Sequence, residues 1–237
     1  MIKGLNVKIA VSGASGKTGY RVAEEALKKR YEVKLITRKG SILPSSLQSC
    51  KIERSSLFNK NELDNALAGV DALIIATGAR PNIDLTGPAK IDAIAVGNQV
   101  DSCKRVGVKR IILVSSLCTG KLFHPLNLFG LILIWKNIGE KKVINSGIDW
   151  TIIRPGGLKE SEENLGKENI LYTQRNTQEE GSIPRRLVAR SCIEALNTTK
   201  AIGEIIEITS SEENNALTMQ KAIEGFNTIS SLSLIHI

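Results

Sequence analysis

The chain has 237 residues, of which 42% are hydrophobic and 24% are charged, and this composition argues against disordered, collagen-like and membrane-spanning architectures. Lysine and arginine number 32 against 24 aspartate and glutamate, and the resulting net charge of +8 favours an anionic partner such as a nucleotide. With only two histidines and four widely spaced cysteines, we expect no metal site and reduced thiols in a cytoplasmic location.

Short β-branched runs alternate with longer amphipathic stretches, a pattern that predicts strand–helix–strand units and a parallel sheet. We predict one α/β domain over residues 1–231, a Rossmann-type doubly wound parallel sheet with helices on both faces and a variable C-terminal segment from about residue 155. The predicted strands are Val7–Ser12, Glu32–Thr37, Cys50–Glu53, Ala72–Ala76, Arg110–Ser115, Trp150–Arg154 and Ile205–Thr209. The predicted helices are Lys17–Lys29, Lys60–Leu67, Ile91–Val106, Leu128–Ser146 and Arg185–Leu196.

Two segments near the C-terminus stand apart from this alternation. Ser161–Glu180 is polar and aperiodic, so it is either a substrate loop at the carboxyl ends of the strands or a disordered surface loop. Leu232–Ile237 equals one translated frame of a transposon sequencing adapter, and we expect a non-native tail in place of the natural C-terminus. His236 falls within this tail, which leaves His124 as the histidine available for chemistry.

The first predicted strand leads directly into a glycine-rich loop, Gly13-Ala-Ser-Gly-Lys-Thr-Gly19, before the first predicted helix. Glycines here allow a tight turn and close approach of a pyrophosphate, while the helix N-terminus offers N–H groups to the anion. A nucleoside-triphosphatase P-loop would need a further glycine where Val11 stands, so that class is excluded. We predict a dinucleotide-binding loop with cofactor contacts at Gly13, Ser15, Gly16, Lys17, Thr18 and Gly19.

The second predicted strand ends at Thr37-Arg38-Lys39, about 20 residues after the last glycine, where a site that prefers NAD carries an acidic residue. Arg38 instead can pair bidentately with a 2′-phosphate. We therefore predict NADP as cofactor, with NADPH preferred over NADH. Lys39 and Lys17 are further candidate cations, each either a phosphate ligand or a solvated surface residue.

Further motifs follow the later predicted strands in a fixed order: Ala76-Thr-Gly78, Val114-Ser-Ser116 and Thr151-Ile-Ile-Arg-Pro-Gly-Gly157. With the glycine loop, over roughly residues 5–210, the chain resembles the atypical short-chain dehydrogenase/reductase family of NAD(P)-binding Rossmann proteins. More narrowly, it is similar to the NADP-binding module of the dehydrogenase-like component of the chloroplast protein-import translocon and to cyanobacterial relatives of that module. The narrower resemblance depends on Leu85-Thr-Gly-Pro88, Leu113-Val-Ser-Ser-Leu117, Asn127-Leu-Phe-Gly130, Trp135-Lys136 and Ser146-Gly147.

The resemblance implies further cofactor contacts and two catalytic candidates. It places Ala76, Thr77 and Gly78 near the cofactor ribose, Ser115 and Ser116 beside the nicotinamide, and Pro155 and Gly156 against its carboxamide. Lys136 resembles the family lysine that bonds the nicotinamide ribose, and Glu140 resembles its usual companion on the same helix face. Ser116 and Lys136 are the implied catalytic residues.

The active-site tyrosine of the family is missing from this chain. Its position, four residues before Lys136, is Ile132, and no tyrosine in the chain has a lysine four residues later. Tyrosine would transfer the proton that accompanies hydride transfer, a role that isoleucine cannot fill. His124 either approaches the site or starts a helix beside Pro125. Ser56 stands where the family commonly has an aspartate near the adenine.

Two functions remain open at this point. The first is an NADPH-dependent oxidoreductase of an unknown small molecule that works without the tyrosine. The second is a non-catalytic NADP(H)-dependent redox sensor or scaffold for a photosynthetic or membrane-associated assembly. Basic pairs are scattered and lack an array of stacking aromatics, which disfavours nucleic acid as a partner. The longest apolar run, Leu126–Trp135, is about half of the roughly 20 residues that a transmembrane segment needs, so none is predicted.

Overall fold

The computed structural model describes residues 7–79, 85–128 and 130–233 of the chain. The strands are β1 (Lys8–Ser12), β2 (Glu32–Thr37), β3 (Lys51–Arg54), β4 (Ala72–Ile75), β5 (Arg110–Val114), β6 (Asp149–Pro155), β7 (Gly157–Lys159), β8 (Asn169–Gln174), β9 (Ser182–Pro184) and β10 (Glu204–Ser211). The α-helices are α1 (Gly19–Lys28), α2 (Lys60–Leu67), α3 (Ala95–Val106), α4 (Ile132–Ile144), α5 (Arg185–Asn197) and α6 (Met219–Ser233). A π-helical segment, Ala89–Ile94, leads into α3.

Eight strands form one sheet in the order β3-β2-β1-β4-β5-β6-β10-β8. Every neighbouring pair is parallel except β8, which runs antiparallel to β10 at the sheet edge. The strand order reverses between β1 and β4, the topological switch point at which doubly wound sheets bind ligands outside the carboxyl ends of their strands. The predicted Rossmann-type fold is therefore confirmed.

Alternation of the strand side chains produces two hydrophobic cores, one on each face of the sheet. Ile9 and Val11 of β1 point into the core that α1, α5 and α6 cover, whereas Ala10 points into the core under α2, α3 and α4. β4 and β5 are buried along their whole length, as expected for central parallel strands covered on both faces. This burial fixes the strand ends, and with them the loops at the carboxyl edge.

The predicted helix Leu128–Ser146 is wrong at its start. Residues Pro125–Leu128 form a 3-10 turn, and α4 begins at Ile132, after Leu131 adopts a left-handed backbone with a φ of +57°. Buried Asn127 stabilises this break, since its amide donates to the Lys121 carbonyl at 2.7 Å and its Oδ1 accepts from the Leu133 N–H at 3.0 Å. Apolar periodicity alone does not reveal such a side-chain bridge.

The segment Ser161–Glu180 contains β8, which neither interpretation of its sequence anticipated. β8 pairs with β10 and is half-exposed, and its apolar run, Ile170–Tyr172, is shorter than that of the central strands. Strands β7 and β9 and helix α6 are further elements that the sequence patterns did not predict. Of the expected non-native tail, residues 234–237, with His236, lie outside the described residues. No helix in the described part of the chain is long and apolar enough to cross a membrane.

Candidate functional site

A cavity of about 390 Å³ opens at the carboxyl edge of the sheet, at the switch point between β1 and β4. The ends of β1, β2 and β4, the glycine loop and the loops before α2 and α3 form its walls. The lining residues are Ser12, Gly13, Ser15, Gly16, Ile36, Thr37, Arg38, Ser55, Leu57, Phe58, Ala76, Thr77, Gly78, Ala79, Gly87, Lys90 and Ile91. Seven of the predicted cofactor-binding residues are thereby brought together: Gly13, Ser15, Gly16, Arg38, Ala76, Thr77 and Gly78.

Two glycines of the loop are required by the backbone itself. Gly13 has a φ of +79°, and a Cβ there would lie 2.9 Å from the carbonyl oxygen of Ala76. At Gly19 a Cβ would lie 2.1 Å from the Gly13 carbonyl oxygen, so only glycine lets α1 pack this closely on the loop. The glycine loop is thus pressed against the end of β4 and forms the floor of the cavity.

Three buried hydroxyls at this cavity are left without a hydrogen-bond partner among the described residues. They are Ser12 Oγ, Thr37 Oγ1 and Thr77 Oγ1, at the ends of three adjacent strands, and all three residues line the cavity. Buried polar groups in folded proteins are nearly always paired, so an unpaired cluster indicates a polar ligand at this point. Together with the glycine loop, these hydroxyls fit the phosphates and ribose of a dinucleotide.

The β2 side of the cavity carries the predicted specificity residue. Arg38 follows β2, is exposed, and forms no ion pair with any carboxylate of the described residues. Leu57 and Phe58 supply an apolar wall beside it on the loop after β3. Ser56 does not line the cavity, whereas Ser55 does; the Ser56 N–H donates to Glu62, and its hydroxyl accepts from the N–H of Phe58.

At the β4–β5 side, a separate small pocket of about 10 Å³, here called the extension, shares Thr77 with the main cavity and is also lined by Ser115 and Lys136. Lys136 of α4 reaches this point, and its Nζ lies 2.8 Å from Oδ1 of Asp92 in the π-helical segment. The second carboxylate oxygen of Asp92 accepts from the Ala79 N–H at 3.3 Å. Asp92 was missed in the sequence, where it is one acidic residue within an ordinary helical pattern.

The remaining predicted contacts near the nicotinamide half lie around this extension. Ser115 is buried with its hydroxyl 3.2 Å from that of Thr119, and it lines the extension. Ser116 is half-buried and outside the lining of both cavities. Pro155 and Gly156 are also outside that lining, and a Cβ on Gly156 would lie 2.6 Å from the Gly181 carbonyl oxygen. Their cofactor roles stay predictions.

Lys17 and Thr18 make contacts away from the cavity. The Nζ of Lys17 lies 3.2 Å from Glu160, and the Thr18 hydroxyl accepts from Arg185 at 2.9 Å. Glu160 also accepts from Arg185 at 2.6 Å. Glu160, directly after β7, thus pairs with Lys17 just before α1, while Thr18 is bound by Arg185 at the start of α5.

Glu140 is not the companion of Lys136, and the implication drawn from the resemblance is wrong on this point. Its carboxylate is buried and accepts two hydrogen bonds from Arg154, at 3.0 and 2.7 Å. Arg154 also lies 3.5 Å from Glu207, whose carboxylate accepts from three successive N–H groups at residues 176–178. Asp92 is the carboxylate that pairs with Lys136 instead.

No tyrosine and no histidine lines either cavity within the part of the chain that the structure describes. Ile132 packs in a small apolar cluster with Leu117, Cys118 and Leu133. The Tyr172 hydroxyl donates to Glu194 at 2.7 Å on the far side of the sheet. His124 Nδ1 accepts from the Leu126 N–H at the 3-10 turn, which confirms the helix-start interpretation. Within the same residues, no cluster of acidic, histidine and cysteine side chains could hold a metal ion.

Comparison with known proteins agrees with this geometry. A family model described as NAD(P)H-binding matches residues 13–199. An uncharacterized chloroplast protein of Arabidopsis thaliana is 36% identical over 220 residues, which are 87% of this chain and 78% of that protein. Sanguinarine reductase of Eschscholzia californica is 30% identical and covers 86% of this chain and 89% of its own length.

Two further comparisons extend the relationship. The TIC 62 protein of Pisum sativum chloroplasts is 31% identical over 84% of this chain, although the match spans only 42% of that longer protein. Among solved structures, a putative NAD-dependent epimerase/dehydratase from Bacillus halodurans superimposes with a TM-score of 0.80 at 24% identity, covering 93% of this chain and all of that one. That likeness shows the shared fold.

Proposed function

The chain belongs to the NAD(P)H-binding family of Rossmann proteins that includes atypical short-chain dehydrogenase/reductase-like oxidoreductases, and we propose that it is an NADPH-dependent reductase of an apolar electron acceptor. One observation carries the cofactor part of this proposal. The cavity at the switch point is lined by the glycine loop, exposed Arg38 and three buried hydroxyls that have no hydrogen-bond partner among the described residues.

The topology orients a dinucleotide in this cavity. A pyrophosphate on the glycine loop and the N-terminus of α1 leaves the adenosine half toward β2 and β3, where Arg38 can receive a 2′-phosphate. The nicotinamide half then extends toward β4 and β5, where Thr77, Ser115 and Lys136 lie. When bound there, NADPH supplies a hydride from the nicotinamide ring.

The missing tyrosine restricts the acceptor. A simple ketone or aldehyde needs an acid at its oxygen as the hydride arrives, and no phenol or imidazole among the described residues lines the site. A quinone- or flavin-like acceptor takes the hydride into a conjugated ring, and the resulting anion takes its proton from water. This chemistry requires orientation of the two rings and no tyrosine.

Exposed apolar side chains support an acceptor of this kind. The loops after β4 and β5 carry Leu85, Phe123, Leu128 and Leu131, with exposed fractions of 58, 96, 82 and 45%. The two loops touch, because a Cβ on Gly130 would lie 2.6 Å from the Leu85 carbonyl oxygen. Apolar surface at the carboxyl edge suits a flat hydrophobic ring. That a relative is named for reducing sanguinarine agrees with a small-molecule reductase.

The second candidate function is a non-catalytic NADP(H) sensor or scaffold, and Ile132 at the tyrosine position favours it. The two are separated by NADPH oxidation with a panel of quinones, flavins and aldehydes. A reductase oxidises NADPH with at least one ring acceptor, and Lys136→Met abolishes turnover, whereas Lys141→Met, an exposed position of the same helix, does not. Tight NADPH binding without turnover of any acceptor would instead establish the sensor or scaffold.

A further inference from the structure

We propose that Asp92 is a positioning residue that holds the Lys136 ammonium against the nicotinamide half of the dinucleotide. The inference rests on the proposed function, because it takes the dinucleotide to bind along the switch-point cavity. It concerns a carboxylate that lies outside the glycine loop and outside the motifs after the strands.

The first observation is the pairing of Asp92 and Lys136. The Nζ of Lys136 lies 2.8 Å from Asp92 Oδ1, and the side chains are 13% and 2% exposed, respectively. A buried carboxylate is costly unless a cation and further donors satisfy it. Within the described residues, Asp92 has one such cation, Lys136, and one backbone donor, so its carboxylate is held beside Lys136.

The second observation is that Asp92 joins two parts of the site. Its other carboxylate oxygen accepts from the Ala79 N–H at 3.3 Å, directly after Thr77 and Gly78 at the end of β4. A Cβ on Gly78 would lie 3.8 Å from both Asp92 Oδ1 and Lys136 Nζ. The ion pair therefore lies directly against the β4 turn that lines the cavity, and it links that turn to α4.

The third observation is the backbone geometry that brings the two residues together. α4 approaches the π-helical segment so closely that a Cβ on Gly139 would lie 2.1 Å from the carbonyl oxygen of Asp92. Gly139 is one helical turn after Lys136 and shares its helix face. π-Helical turns are rare and are frequent at functional sites. Helix packing and an unusual backbone thus both serve the Asp92–Lys136 contact.

The chemical consequence follows from where Lys136 lies. Its ammonium borders the extension beside Thr77 and Ser115, on the side toward which the nicotinamide half would extend if the pyrophosphate lies on the glycine loop. A lysine side chain is long and flexible, so a fixed counter-charge is needed to keep its donors at one place. Asp92, which itself lines the extension, supplies that counter-charge.

The test compares two ligands on purified full-length protein. NADPH occupies both halves of the site, whereas adenosine 2′,5′-bisphosphate occupies only the adenosine half. We expect Asp92→Asn to weaken NADPH binding on the order of tenfold or more and to leave binding of the bisphosphate unchanged. The matched control is Asp101→Asn, an exposed position on α3, which should alter neither. In a Lys136→Met background, Asp92→Asn should have no further effect on NADPH affinity.

Each result is decisive. Equal NADPH affinity of the wild type and Asp92→Asn would overturn the inference while leaving the proposed function intact. Equal weakening of both ligands would also overturn it, since a general disturbance of the fold affects both halves. If the wild type binds neither the bisphosphate nor NADPH at any concentration tested, the proposed function itself is overturned. The positioning role is supported if Asp92→Asn and Lys136→Met each weaken NADPH binding and the double variant is no weaker than Lys136→Met alone.

Discussion

Arg154 donates two hydrogen bonds to the carboxylate of Glu140, from Nε at 3.0 Å and from Nη2 at 2.7 Å, in the buried space between α4 and β6. Burial lowers the pKa of Arg154, but hydrogen bonding and ion pairing with Glu140 and Glu207 outweigh it and raise the pKa, so the guanidinium stays charged. Both side chains are at most 5% exposed, so the contact is a buried polar connection between α4 and the sheet.

Removing Glu140 should therefore destabilise the fold severely. We expect Glu140→Ala to lower the free energy of unfolding by about 3–5 kcal/mol, because it leaves the Arg154 charge buried beside Glu207 with half of its partners. Urea unfolding monitored by circular dichroism measures this. Exposed Glu163→Ala is the control and should change stability by less than about 0.5 kcal/mol. A loss below about 1 kcal/mol at Glu140 would contradict the assigned role.

Gly13→Ala should damage both stability and cofactor binding. A left-handed φ costs an alanine about 1–2 kcal/mol, and its Cβ would in addition press on the end of β4 at 2.9 Å. Gly166→Ala is the matched control, since no atom lies within 4 Å of its added Cβ. Thermal unfolding and NADPH titration of both variants check the prediction. Gly13→Ala behaving like Gly166→Ala in both assays would refute it.

The contact of Glu162 with α1 and α5 predicts a pH dependence. Partial burial raises the pKa of Glu162, but hydrogen bonds from Arg21 and Arg186 outweigh it and hold the pKa below its ordinary value of 4.5. A lowered carboxylate pKa means that the stabilisation is fully present above about pH 4.5 and is lost as the pH falls through the folded-state pKa.

We therefore expect the stability difference between the wild type and Glu162→Gln to be largest near neutral pH and to decrease as the pH falls below 4.5. Since a third of the Glu162 side chain is exposed, that difference should stay at or below about 1 kcal/mol. Urea unfolding of both proteins across this range measures it. A difference that grows as the pH falls would have the wrong sign.

Thiol reactivity offers a check on the two cores. Burial raises the pKa of Cys103 and of Cys192 to about 12, so neither carries much thiolate near neutral pH. Cys118 is buried with its sulfur 3.5 Å from the Glu179 carbonyl oxygen, whereas Cys50 is half-buried. Ellman's reagent should modify Cys50 first in the native protein and all four thiols in denaturant. Rapid native modification of Cys103 or Cys192 would contradict the described packing.

The sheet and its ligand edge were predictable because their signals are local. Buried parallel strands are apolar along their whole length, and the glycine loop lies between a strand and a helix in one continuous stretch. Arg38 could be placed beside the cavity because its distance from the loop is fixed by one helix and one strand. These features need no knowledge of contacts between distant residues.

Other features depend on such contacts and were missed. Asp92 pairs with Lys136, 44 residues later, only because α4 approaches closely at Gly139. Glu140 has the sequence position expected of a companion of Lys136, yet in the fold its carboxylate pairs with Arg154 of β6. β8 is a half-exposed edge strand whose apolar run spans only three residues, Ile170–Tyr172, so it does not stand out within its polar segment.

The central claim, an NADPH site with Arg38 at the 2′-phosphate, is tested most directly by titrating wild-type protein and Arg38→Gln with NADPH and NADH. A charged hydrogen bond to a phosphate is worth about 1.5–3 kcal/mol, so the wild type should bind NADPH at least about tenfold more tightly than NADH. Arg38→Gln should lose this preference mainly through weaker NADPH binding. Equal affinity of the wild type for the two dinucleotides, or an undiminished NADPH preference in Arg38→Gln, would contradict the account.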